Sequence, residues 1–357
     1  MSLSKITQHQ VTQDQDNSRL DRLLKTHYPD IPLSRLQKAL RKGEIRVDLQ
    51  KATANQRLSV GQIVKLPPIN PTPQQQAAKT VSYKPRKVDY ALAQDLKSAI
   101  LYDDPEIIVL NKPQGLAVQG GTNLKRHIDG ALPALIEQSR HYQPGQKGCL
   151  VHRLDKDTSG ILLIAKSQQV ARQCASAFRT REFEKQYWAI CIGVPHLKQG
   201  TIQLRIAKLA DNYGVEKMRV DDEHGQYAHT DYEILDYAGK RLSLVALYPR
   251  TGRTHQLRVH MAAIDHPLLG DFKYGGKSAQ LEEESFDHNA YHGDFYGDDP
   301  YGEPNTGASD NLAKLHLHAH QLTIPASLGL ISAGMRFTAP PTAGFLESLA
   351  HFGLKTK

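Results

Sequence analysis

The ten residues VHRLDKDTSG, at positions 151–160, contain carboxylate, imidazole, hydroxyl and cationic side chains, which are groups that catalysis commonly uses. Asp155 and Asp157 lie here beside basic residues, and the apolar run ILLIA follows at 161–165. An apolar run of this length predicts a buried strand, so the charged residues belong to a loop anchored next to it. A carboxylate on such a loop can be a nucleophile, a general base or a metal ligand, or it can brace a salt-bridged turn.

The neighbours of Asp155 in the sequence favour a fixed and charged carboxylate. Arg153 and Lys156 flank it, and nearby cations favour the ionised form of a carboxyl group. Hydroxyl side chains can hydrogen-bond the loop backbone, and a glycine can adopt dihedral angles that other residues avoid. The loop carries both features in its last three residues, Thr158, Ser159 and Gly160.

The stretch DKDTSG also fits the D-x-D-x-T pattern of haloacid-dehalogenase-type phosphatases, in which Asp155 would accept a phosphoryl group with the help of Mg²⁺. That pattern needs an uninterrupted apolar strand before the first aspartate, but His152 and Arg153 stand there. It also needs a later acidic pair at a strand end. The late pair Asp298-Asp299 lies in a low-complexity acidic stretch. The phosphatase interpretation is therefore disfavoured.

The extended stretch HRLDKDTSGILLIAK closely resembles the central motif of the RluA-type pseudouridine synthases. Three further stretches resemble motifs of that family in the same order, and the similarity, which spans roughly 100–276, resumes at LHLHAH (315–320). These stretches are EIIVLNKPQGLAVQGGT (106–122), EKQYWAICIG (184–193) and PRTGRTHQLRVHMAAIDHPLLGDFKYG (249–275).

The resemblance implies an enzyme that breaks the N1–C1′ bond of an RNA uridine, turns the base and joins its C5 to C1′. It implies that Asp155 is the catalytic nucleophile and that Arg253 is its arginine partner. Tyr187, in the Lys-x-Tyr that begins at Lys185, would stack on the base or assist proton transfer. The sequence leaves open whether Asp155 attacks C1′ or removes a C2′ proton to form a glycal. The family needs no metal, redox or nucleotide cofactor.

A paired uridine must leave its stack to reach such a site. We expect Arg153 to fill the gap, because a guanidinium plane stacks well in RNA. Lys112 and Arg258 are candidate phosphate contacts, although Arg258 could equally form a structural ion pair. Three alternating histidines share one strand face, and we interpret them as structural residues rather than metal ligands: His316, His318 and His320.

These motifs require a framework of strands with few crossover helices. Helices are predicted at 128–138 and 167–179. Because strands often follow one another directly, we predict an α+β fold with a mixed, largely antiparallel sheet and a central cleft, which the resemblance also implies. The predicted strands are EIIVL (106–110), ILLIA (161–165), YWAICIG (187–193), TIQLRIA (201–207), YEILDY (232–237), LSLVALY (242–248) and KLHLHAH (314–320).

The N-terminal region predicts a separate small α/β unit. Residues 18–66 read as two helices and two strands, with Ser18 and Ser34 as candidate N-caps and Gly43 at a helix C-terminus. The stretches RLDRLL, SRLQKALRKGEIRVD and LSVGQIVKL resemble the S4-type RNA-binding domain. That resemblance implies that the basic residues of this unit form an RNA-binding surface: Arg19, Arg22, Arg35, Lys38, Arg41, Lys42 and Arg46.

The predicted organisation has four parts. A disordered arm (1–17) precedes the S4-type domain (18–66), a Pro- and Gln-rich linker (67–97) follows it, and the catalytic domain (98–357) completes the chain with an acidic insertion loop at 277–311. The net charge is +8 and the pI is about 9.2. Residues 1–97 hold 17 Lys/Arg against 8 Asp/Glu, whereas 277–311 hold 1 against 9. This distribution favours a polyanionic partner, and we hypothesise that the insertion shields the cleft from non-target RNA.

No apolar run reaches membrane-spanning length, and the polar N-terminus is not a signal peptide. Three cysteines without a CxxC pair fit a reducing compartment, so we expect a cytoplasmic, monomeric protein. The S4-type domain and the variant AVQGGT resemble family members that modify large-subunit (23S) ribosomal RNA, and transfer RNA is the other candidate substrate. The alternative function is a non-catalytic RNA-binding or ribosome-assembly protein on the same fold.

Overall fold

The computed structural model describes residues 7–28, 31–68, 88–120, 126–210, 216–280 and 312–356. The chain divides into two compact units, residues 1–85 and 86–357. No helix in these ranges is both long enough and apolar enough to cross a bilayer. Most of the acidic insertion, residues 281–311, and most of the predicted linker, 69–87, lie outside the described residues.

The N-terminal unit packs two amphipathic helices on a small antiparallel sheet. Leucines at helical spacing, such as Leu20, Leu24 and Leu36, are fully buried in its own core. Its strands pair in the order β1-β4-β2-β3. The elements are β1 (Thr7–Gln10), α1 (Leu20–His27), α2 (Leu33–Lys42), β2 (Arg46–Val47), β3 (Gln50–Lys51) and β4 (Ile63–Leu66).

Some predicted details of this unit are wrong. Residues 7–10 belong to β1, which pairs with β4, so the predicted disordered arm contributes a strand to the sheet. The N-cap positions are Arg19 and Pro32 rather than Ser18 and Ser34, because each helix begins one or two residues away from where its hydroxyl could cap it. The prediction for Gly43 is confirmed, since it ends α2 in the left-handed region at φ 72°.

The C-terminal unit is built on one sheet of eleven strands. Its first elements are α3 (Tyr90–Leu96), β5 (Ile100–Asp103), β6 (Ile107–Lys112), α4 (Ile128–Glu137), β7 (Cys149–Leu150), β8 (Ser159–Ala165) and α5 (Gln168–Thr180). The remainder are β9 (Glu184–Ile192), β10 (Gln199–Ala210), β11 (Glu216–Val220), β12 (Gln226–Ala238), β13 (Leu242–Pro249), α6 (Gln256–Ala263), α7 (Phe272–Gly275), β14 (Leu317–Thr323), β15 (Arg336–Thr338) and α8 (Ala343–His351).

The strand order is β11-β10-β12-β13-β9-β14-β8-β6-β5, with β7 and β15 paired at the side. Among the described strands, β14 and β8 form the parallel pair and the other pairs are antiparallel. The predicted mixed, largely antiparallel α+β fold is therefore confirmed. The late strand β14 lies in the middle of the sheet, between two strands that precede it by more than a hundred residues.

Helices cover both faces of the sheet, which explains why several strands read as continuous apolar runs. In β8, Leu162 and Ile164 face the core beneath α3 and α4, whereas Ile161 and Leu163 face the core beneath α5. Helix α3 falls inside the region predicted to be a linker. Its apolar residues are buried against α4, so the catalytic unit begins earlier than residue 98.

Candidate active site

The loop that carries Asp155 is fastened to the centre of the sheet. Gly160 has φ 104° and pairs with Ala319 of β14, and a Cβ placed there would lie 2.2 Å from the Ala319 carbonyl oxygen. Only glycine fits such a close approach. Ser159 Oγ lies 2.9 Å from Nδ1 of His318 on the same strand. The position of Asp155 is thus set by the junction between β8 and β14.

Lys112, at the end of β6, also holds this loop in place. It is fully buried, and its Nζ donates to the carbonyl oxygens of Pro113, Leu116 and Lys156 at 2.8, 2.9 and 2.9 Å. Burial lowers the pKa of Lys112 to about 7, although Asp157 and Asp155 act in the opposite direction. The prediction that Lys112 contacts phosphate is wrong, because its three donors are occupied inside the protein.

His152 fixes the other side of the loop. Its Nε2 accepts a hydrogen bond from the Leu163 backbone N–H at 2.8 Å, and its ring stacks on Phe178. Burial, with a smaller effect from the charge of Lys185, lowers the pKa of His152 to about 3. A neutral imidazole can accept that hydrogen bond, so His152 acts as a structural acceptor at neutral pH.

A second loop, between β13 and α6, faces Asp155. Gln256 organises it from inside: its Oε1 accepts from Thr251 Oγ1 at 2.7 Å and from the Arg253 backbone N–H at 3.0 Å. Its Nε2 donates to the His229 carbonyl and to Thr230 Oγ1, both at 2.9 Å. All four polar positions of this buried amide are used, which holds the loop in one conformation.

The two loops enclose a cleft of about 150 Å³ that lies wholly within the C-terminal unit. Asp155 lies in it together with basic and aromatic side chains, as the predicted central cleft requires. The lining residues that matter for chemistry are Arg153, Asp155, Lys185, Tyr187, Arg253, His255 and Arg258. Four of these residues were predicted to take part in the reaction or in base flipping: Arg153, Asp155, Tyr187 and Arg253. Arg258 was predicted as a candidate phosphate contact.

His255 is the described residue whose side chain lies opposite the Asp155 carboxylate: its Nε2 is 3.6 Å from Asp155 Oδ2, a contact that would be an ion pair only with a protonated imidazole. Its Nδ1 lies 2.5 Å from the Tyr274 hydroxyl. Burial lowers the pKa of His255, outweighing the opposite effect of Asp155. Neither His255 nor Tyr274 was predicted to be functional. The signal was present, because both residues lie within the stretch 249–275 that resembles the family's third motif.

The predicted partnership between Arg253 and Asp155 is wrong in this structure. Arg253 lines the cleft, but its Nε donates to the Tyr227 carbonyl at 3.1 Å. Within the described residues it forms no ion pair with Asp155, because His255 occupies that place. This hydrogen bond to Tyr227 of strand β12 holds the guanidinium away from the loop that carries Asp155.

Arg258 is the arginine whose charge acts on Asp155. It is 8% exposed and forms two hydrogen bonds with Asp271, at 2.7 and 2.6 Å. Burial alone would lower the pKa of Arg258, but its bonds to Asp271 and the charges of Asp271 and Asp155 raise it above the usual range. The prediction of a phosphate contact is therefore wrong, and the structural ion pair considered beside it is what the structure contains.

Tyr187 and Lys185 reach the cleft from one edge of β9. Burial raises the pKa of the Tyr187 phenol well above its ordinary value, and the charge of Asp155 adds to that shift. The phenol therefore stays protonated at neutral pH. Burial also lowers the pKa of Lys185, and the positive charges of Arg181 and Arg250 lower it further.

Arg153 lies at the exposed mouth of the cleft, where its Nη2 donates to Thr254 Oγ1 at 3.0 Å. This contact joins the Asp155 loop to the facing loop across the opening. A single bond to a hydroxyl at an exposed site contributes little to stability, so the guanidinium can exchange it for another partner. The position fits a side chain that meets RNA as it enters.

The three alternating histidines of the β14 region are hydrogen-bonded inside the protein. His316 Nε2 lies 2.8 Å from Ser348 Oγ, and both His318 Nε2 and His320 Nδ1 lie 3.1 Å from the Ala339 carbonyl. The part of the chain that the structure describes contains no cluster of metal-ligating side chains. Their predicted structural role agrees with these contacts.

The basic residues of the N-terminal unit differ in their freedom to bind. Arg22, Lys38 and Arg41 are exposed on α1 and α2. Arg19 forms an ion pair with Asp21 at 2.6 Å, and Lys42 lies 3.8 Å from Glu44. Arg46 donates to the carbonyls of Gly43 and Leu49, and Arg35 is half-buried. The exposed charge therefore concentrates on α1 and α2.

Known proteins resemble this chain in sequence. The family described as RNA pseudouridylate synthase matches residues 106–263. The chain is 37% identical over 259 residues to "Ribosomal large subunit pseudouridine synthase C" of Rickettsia prowazekii (strain Madrid E), covering 72% of this chain and 82% of that one. It is 32% identical over 345 residues to the protein of the same name from Vibrio vulnificus (strain CMCP6), covering 96% and 92%.

Two solved human structures are also similar. "Human RNA Pseudouridylate Synthase Domain Containing 4" superposes with a TM-score of 0.56 and 29% identity, covering 75% of this chain and 97% of that one. "Human RNA Pseudouridylate Synthase Domain Containing 1" gives a TM-score of 0.50 and 26% identity, covering 71% and 86%. Sequence and fold therefore point to the same group of proteins.

Proposed function

This chain belongs to the RNA pseudouridylate synthase family, and from that premise we propose that it isomerises uridines of large-subunit ribosomal RNA with Asp155 as the group that acts on the ribose. The observation that carries the proposal is the placement of Asp155. Its carboxylate lies in a cleft, on a loop fixed from three sides, opposite His255 of the second loop and Arg258 of helix α6.

The chemistry needs a carboxylate that is charged and precisely placed. In one route an Asp155 oxygen attacks C1′, N1 leaves with the electrons of the glycosidic bond, and C5 of the turned base later displaces the carboxylate. In the other route Asp155 removes the C2′ proton, a C1′=C2′ bond forms as N1 leaves, and the proton returns after C5 attacks C1′. Both routes end with C5 losing its proton and N1 gaining one, so no oxidant or reductant is consumed.

The surroundings of Asp155 support this role. The guanidinium of Arg258 is held in place by Asp271, and its positive charge attracts the Asp155 carboxylate. We assign to Arg258 the electrostatic role that the sequence suggested for Arg253. Because its guanidinium is already oriented by Asp271, Arg258 needs no reorganisation to act on the Asp155 carboxylate.

Tyr187 and Arg153 fit the handling of the base. The Tyr187 phenol lines the cleft beside Asp155 and offers an aromatic face on which a uracil can stack. Arg153, at the mouth, is placed to enter the helix position that the flipped uridine vacates. Base flipping would thus use a side chain only two residues from the reacting carboxylate.

The RNA partner is inferred from the relatives and from charge. Two curated relatives, which match 72% and 96% of this chain, are named as synthases of the large ribosomal subunit. The N-terminal unit presents Arg22, Lys38 and Arg41 on exposed helix surfaces and resembles the S4-type domain, so we propose that it binds ribosomal RNA. We expect this activity in the cytoplasm, from a monomer.

The experiment that tests the proposal replaces Asp155 with asparagine. Asp155→Asn keeps the size of the side chain but removes its charge, and we expect the rate of pseudouridine formation to fall by roughly 10⁴-fold while RNA affinity changes little. The measurement is a map of pseudouridines across total RNA in cells whose only copy carries the variant. Asp157→Asn, an exposed residue of the same loop, is the control.

Retention of the target pseudouridine in the Asp155→Asn strain would show that the carboxylate is not the reacting group. A map in which the lost positions lie in transfer RNA instead of 23S RNA would refute the substrate assignment and leave the chemistry intact. Loss of all modification in both variants would trace the effect to the fold of the loop and contradict a specific role for Asp155.

A further inference from the structure

The loop between β13 and α6 places one histidine in an unusual backbone conformation. His255 has φ 51° and ψ 22°, in the left-handed region, and its side chain makes no capping hydrogen bond to α6. This conformation is strained for a residue other than glycine. The Gln256 network holds the loop there. The consequence of the strained conformation is that the imidazole points away from the helix and toward Asp155.

The neighbours of His255 determine which imidazole nitrogen carries the proton. The Tyr274 oxygen receives a hydrogen bond from the backbone of Met218, so its own O–H is free to donate. Burial raises the pKa of Tyr274 to about 12, which keeps that proton in place at neutral pH. Nε2 of His255 faces an Asp155 carboxylate oxygen, which can only accept, so a neutral ring places its proton on Nε2. Nδ1, 2.5 Å from the hydroxyl, then accepts from Tyr274.

Nε2 is the nitrogen that faces the reacting carboxylate, 3.6 Å from Asp155 Oδ2. At 3.6 Å this contact is longer than a hydrogen bond, so it acts through electrostatic attraction: it draws Oδ2 toward the imidazole and leaves Oδ1 outside the contact. Tyr274 is itself held by the guanidinium of Arg258, whose Cζ lies 4.9 Å from its ring centroid. The chain of contacts from Met218 through Tyr274 and His255 thus ends at one particular oxygen of Asp155.

We propose that His255 and Tyr274 are positioning residues, which act through Asp155 by holding its Oδ2 so that Oδ1 meets the ribose. The inference rests on the proposed function, since it presumes that Asp155 reacts. His255 gives up no proton during the reaction; it orients the carboxylate and keeps a neutral donor against it. A carboxylate free to rotate would spend less time in the reactive orientation, and small misplacements of a reacting group can cost up to 10²-fold in rate.

The arrangement predicts how activity depends on pH. A doubly protonated His255 ring could no longer accept from Tyr274, and it would pair with Asp155 as a cation and weaken that carboxylate. The charged and titratable groups facing His255 are Asp155, Arg258, Lys273, Asp271 and Tyr274. Burial lowers the pKa of His255, so activity should be constant near neutral pH and fall only as the pH drops below the ordinary histidine value of 6.5.

The test compares Tyr274→Phe, His255→Gln and His255→Leu in the full-length protein, using a synthetic fragment of 23S RNA and single-turnover kinetics. Tyr274→Phe keeps the ring but removes the donor, so the maximal rate should fall roughly 10-fold with little change in the RNA concentration for half-maximal rate. The acidic limb of its pH profile should move to higher pH, because the neutral ring loses its hydrogen bond. His255→Gln, which retains an N–H donor, should preserve more activity than His255→Leu.

A spectroscopic measurement separates positioning from simple structural support. In ¹⁵N-histidine NMR spectra the wild-type His255 should show protonated Nε2 and accepting Nδ1, and Tyr274→Phe should lose this single tautomer. Tyr248→Phe is the matched control, because its hydroxyl also forms one internal hydrogen bond, to Gln186 at 2.9 Å, outside the cleft. His224→Gln controls for a histidine substitution at an exposed site.

Wild-type rate, pH profile and tautomer in Tyr274→Phe would overturn the inference, as would equal activities for His255→Gln and His255→Leu. These outcomes remain distinct from failure of the proposed function. If Asp155→Asn is inactive while the His255 and Tyr274 variants behave as wild type, only the positioning role is refuted. If Asp155→Asn is fully active, the proposed function itself fails.

Discussion

At the scale of single residues, the loop that carries Asp155 depends on Lys112, whose side chain is fully buried. Lys112 is surrounded by three carbonyl oxygens, one of them from Lys156, next to the proposed reacting residue. Burying a charge is costly unless each donor is paired, and here each is. The residue joins the end of β6 to the Asp155 loop, so its effect on activity should be indirect.

Lys112→Met is expected to destabilise the protein and slow the reaction. The substitution keeps the length of the side chain but leaves three buried carbonyls without a donor, which should lower the free energy of unfolding by about 2–4 kcal/mol. Denaturant titration measures this change, and single-turnover kinetics should show a slower maximal rate with RNA affinity preserved. Lys156→Met, whose side chain is exposed while its carbonyl remains in place, is the matched control.

The pH dependence of stability gives a second check on Lys112. Its pKa in the folded protein, about 7, lies below its ordinary value, so the unfolded chain binds that proton more tightly between pH 7 and about 10.5. This residue should therefore make the free energy of unfolding rise with pH across that window, and Lys112→Met should remove that contribution. An identical pH dependence in both proteins would contradict the buried, perturbed ammonium.

The sequence could predict which kinds of side chain line the cleft, but not which of them lie next to Asp155. Asp155 and Tyr187 lie in stretches whose composition and family resemblance single them out, and both reach the cleft. The choice between Arg253 and Arg258 could not be made from sequence. It depends on the directions in which the side chains of the loop between β13 and α6 and of helix α6 point. Asp271, which holds Arg258, lies thirteen residues beyond it. His255 was missed because its role comes from a backbone conformation.

At the scale of elements, the central feature is the parallel junction of β8 and β14. It is short, with His318 beside Ser159 and Ala319 beside Gly160, and it joins the strands that carry the two sides of the cleft. Parallel pairs are slightly less stable per residue than antiparallel pairs, so this junction relies on close backbone approach. Gly160 makes that approach possible.

Gly160→Ala is expected to break this junction. The new Cβ would clash with the Ala319 backbone, and at φ 104° the residue would also be strained, so we expect a loss of at least about 3 kcal/mol in the free energy of unfolding. Gly145→Ala separates the two causes, because Gly145 has a similar φ of 92° with nothing within 4 Å of the added Cβ. Thermal or denaturant unfolding of both variants measures the difference.

Comparable losses in the Gly160→Ala and Gly145→Ala proteins would mean that backbone strain alone, and not the strand junction, determines the effect. A folded Gly160→Ala protein with normal activity would refute the proposed dependence of the Asp155 loop on this junction.

Most elements of the catalytic unit could be predicted because their signals are local. Continuous apolar runs predicted strands such as β6, β8 and β13, and both predicted helices lie within one residue of their observed bounds. The place of β14 in the sheet could not be predicted. Nothing near residues 317–323 indicates that they pair with β9 and β8, because that pairing is decided by cores formed from distant segments.

At the scale of the whole molecule, the chain consists of two units with separate cores. The cleft lies in the C-terminal unit, whereas α1 and α2 of the N-terminal unit carry the exposed basic residues Arg22, Lys38 and Arg41. Phosphate contacts supply affinity without reading sequence. The N-terminal unit should therefore affect how tightly RNA binds but not the chemical step.

The double variant Lys38→Glu/Arg41→Glu tests this division. Reversing two exposed charges on α2 should weaken ribosomal RNA binding by roughly 10-fold or more and make its dependence on salt shallower by about 1–2 in log–log slope, with the maximal rate unchanged. Binding titrations at several salt concentrations and single-turnover rates at saturating RNA measure both quantities. Lys240→Glu, an exposed charge in the turn between β12 and β13, is the control.

An unchanged affinity in the double variant, or an equal loss in Lys240→Glu, would show that the charge of α2 has no special part in binding RNA. The composition of the chain predicted a polyanionic partner, but only the fold separates exposed cations from those already paired, such as Arg19 and Arg258.

The central place of β14 also has a consequence during synthesis on the ribosome. The strands that bear Asp155 and the strands that bear Tyr187 and the facing loop are made early, yet the sheet joins them only through residues 317–323. A nascent chain that lacks this segment has made both sides of the cleft but not the strand that joins them in the sheet. We therefore expect the cleft to form only after residues 317–323 have been synthesised, and a chain that ends before residue 317 should not form pseudouridine.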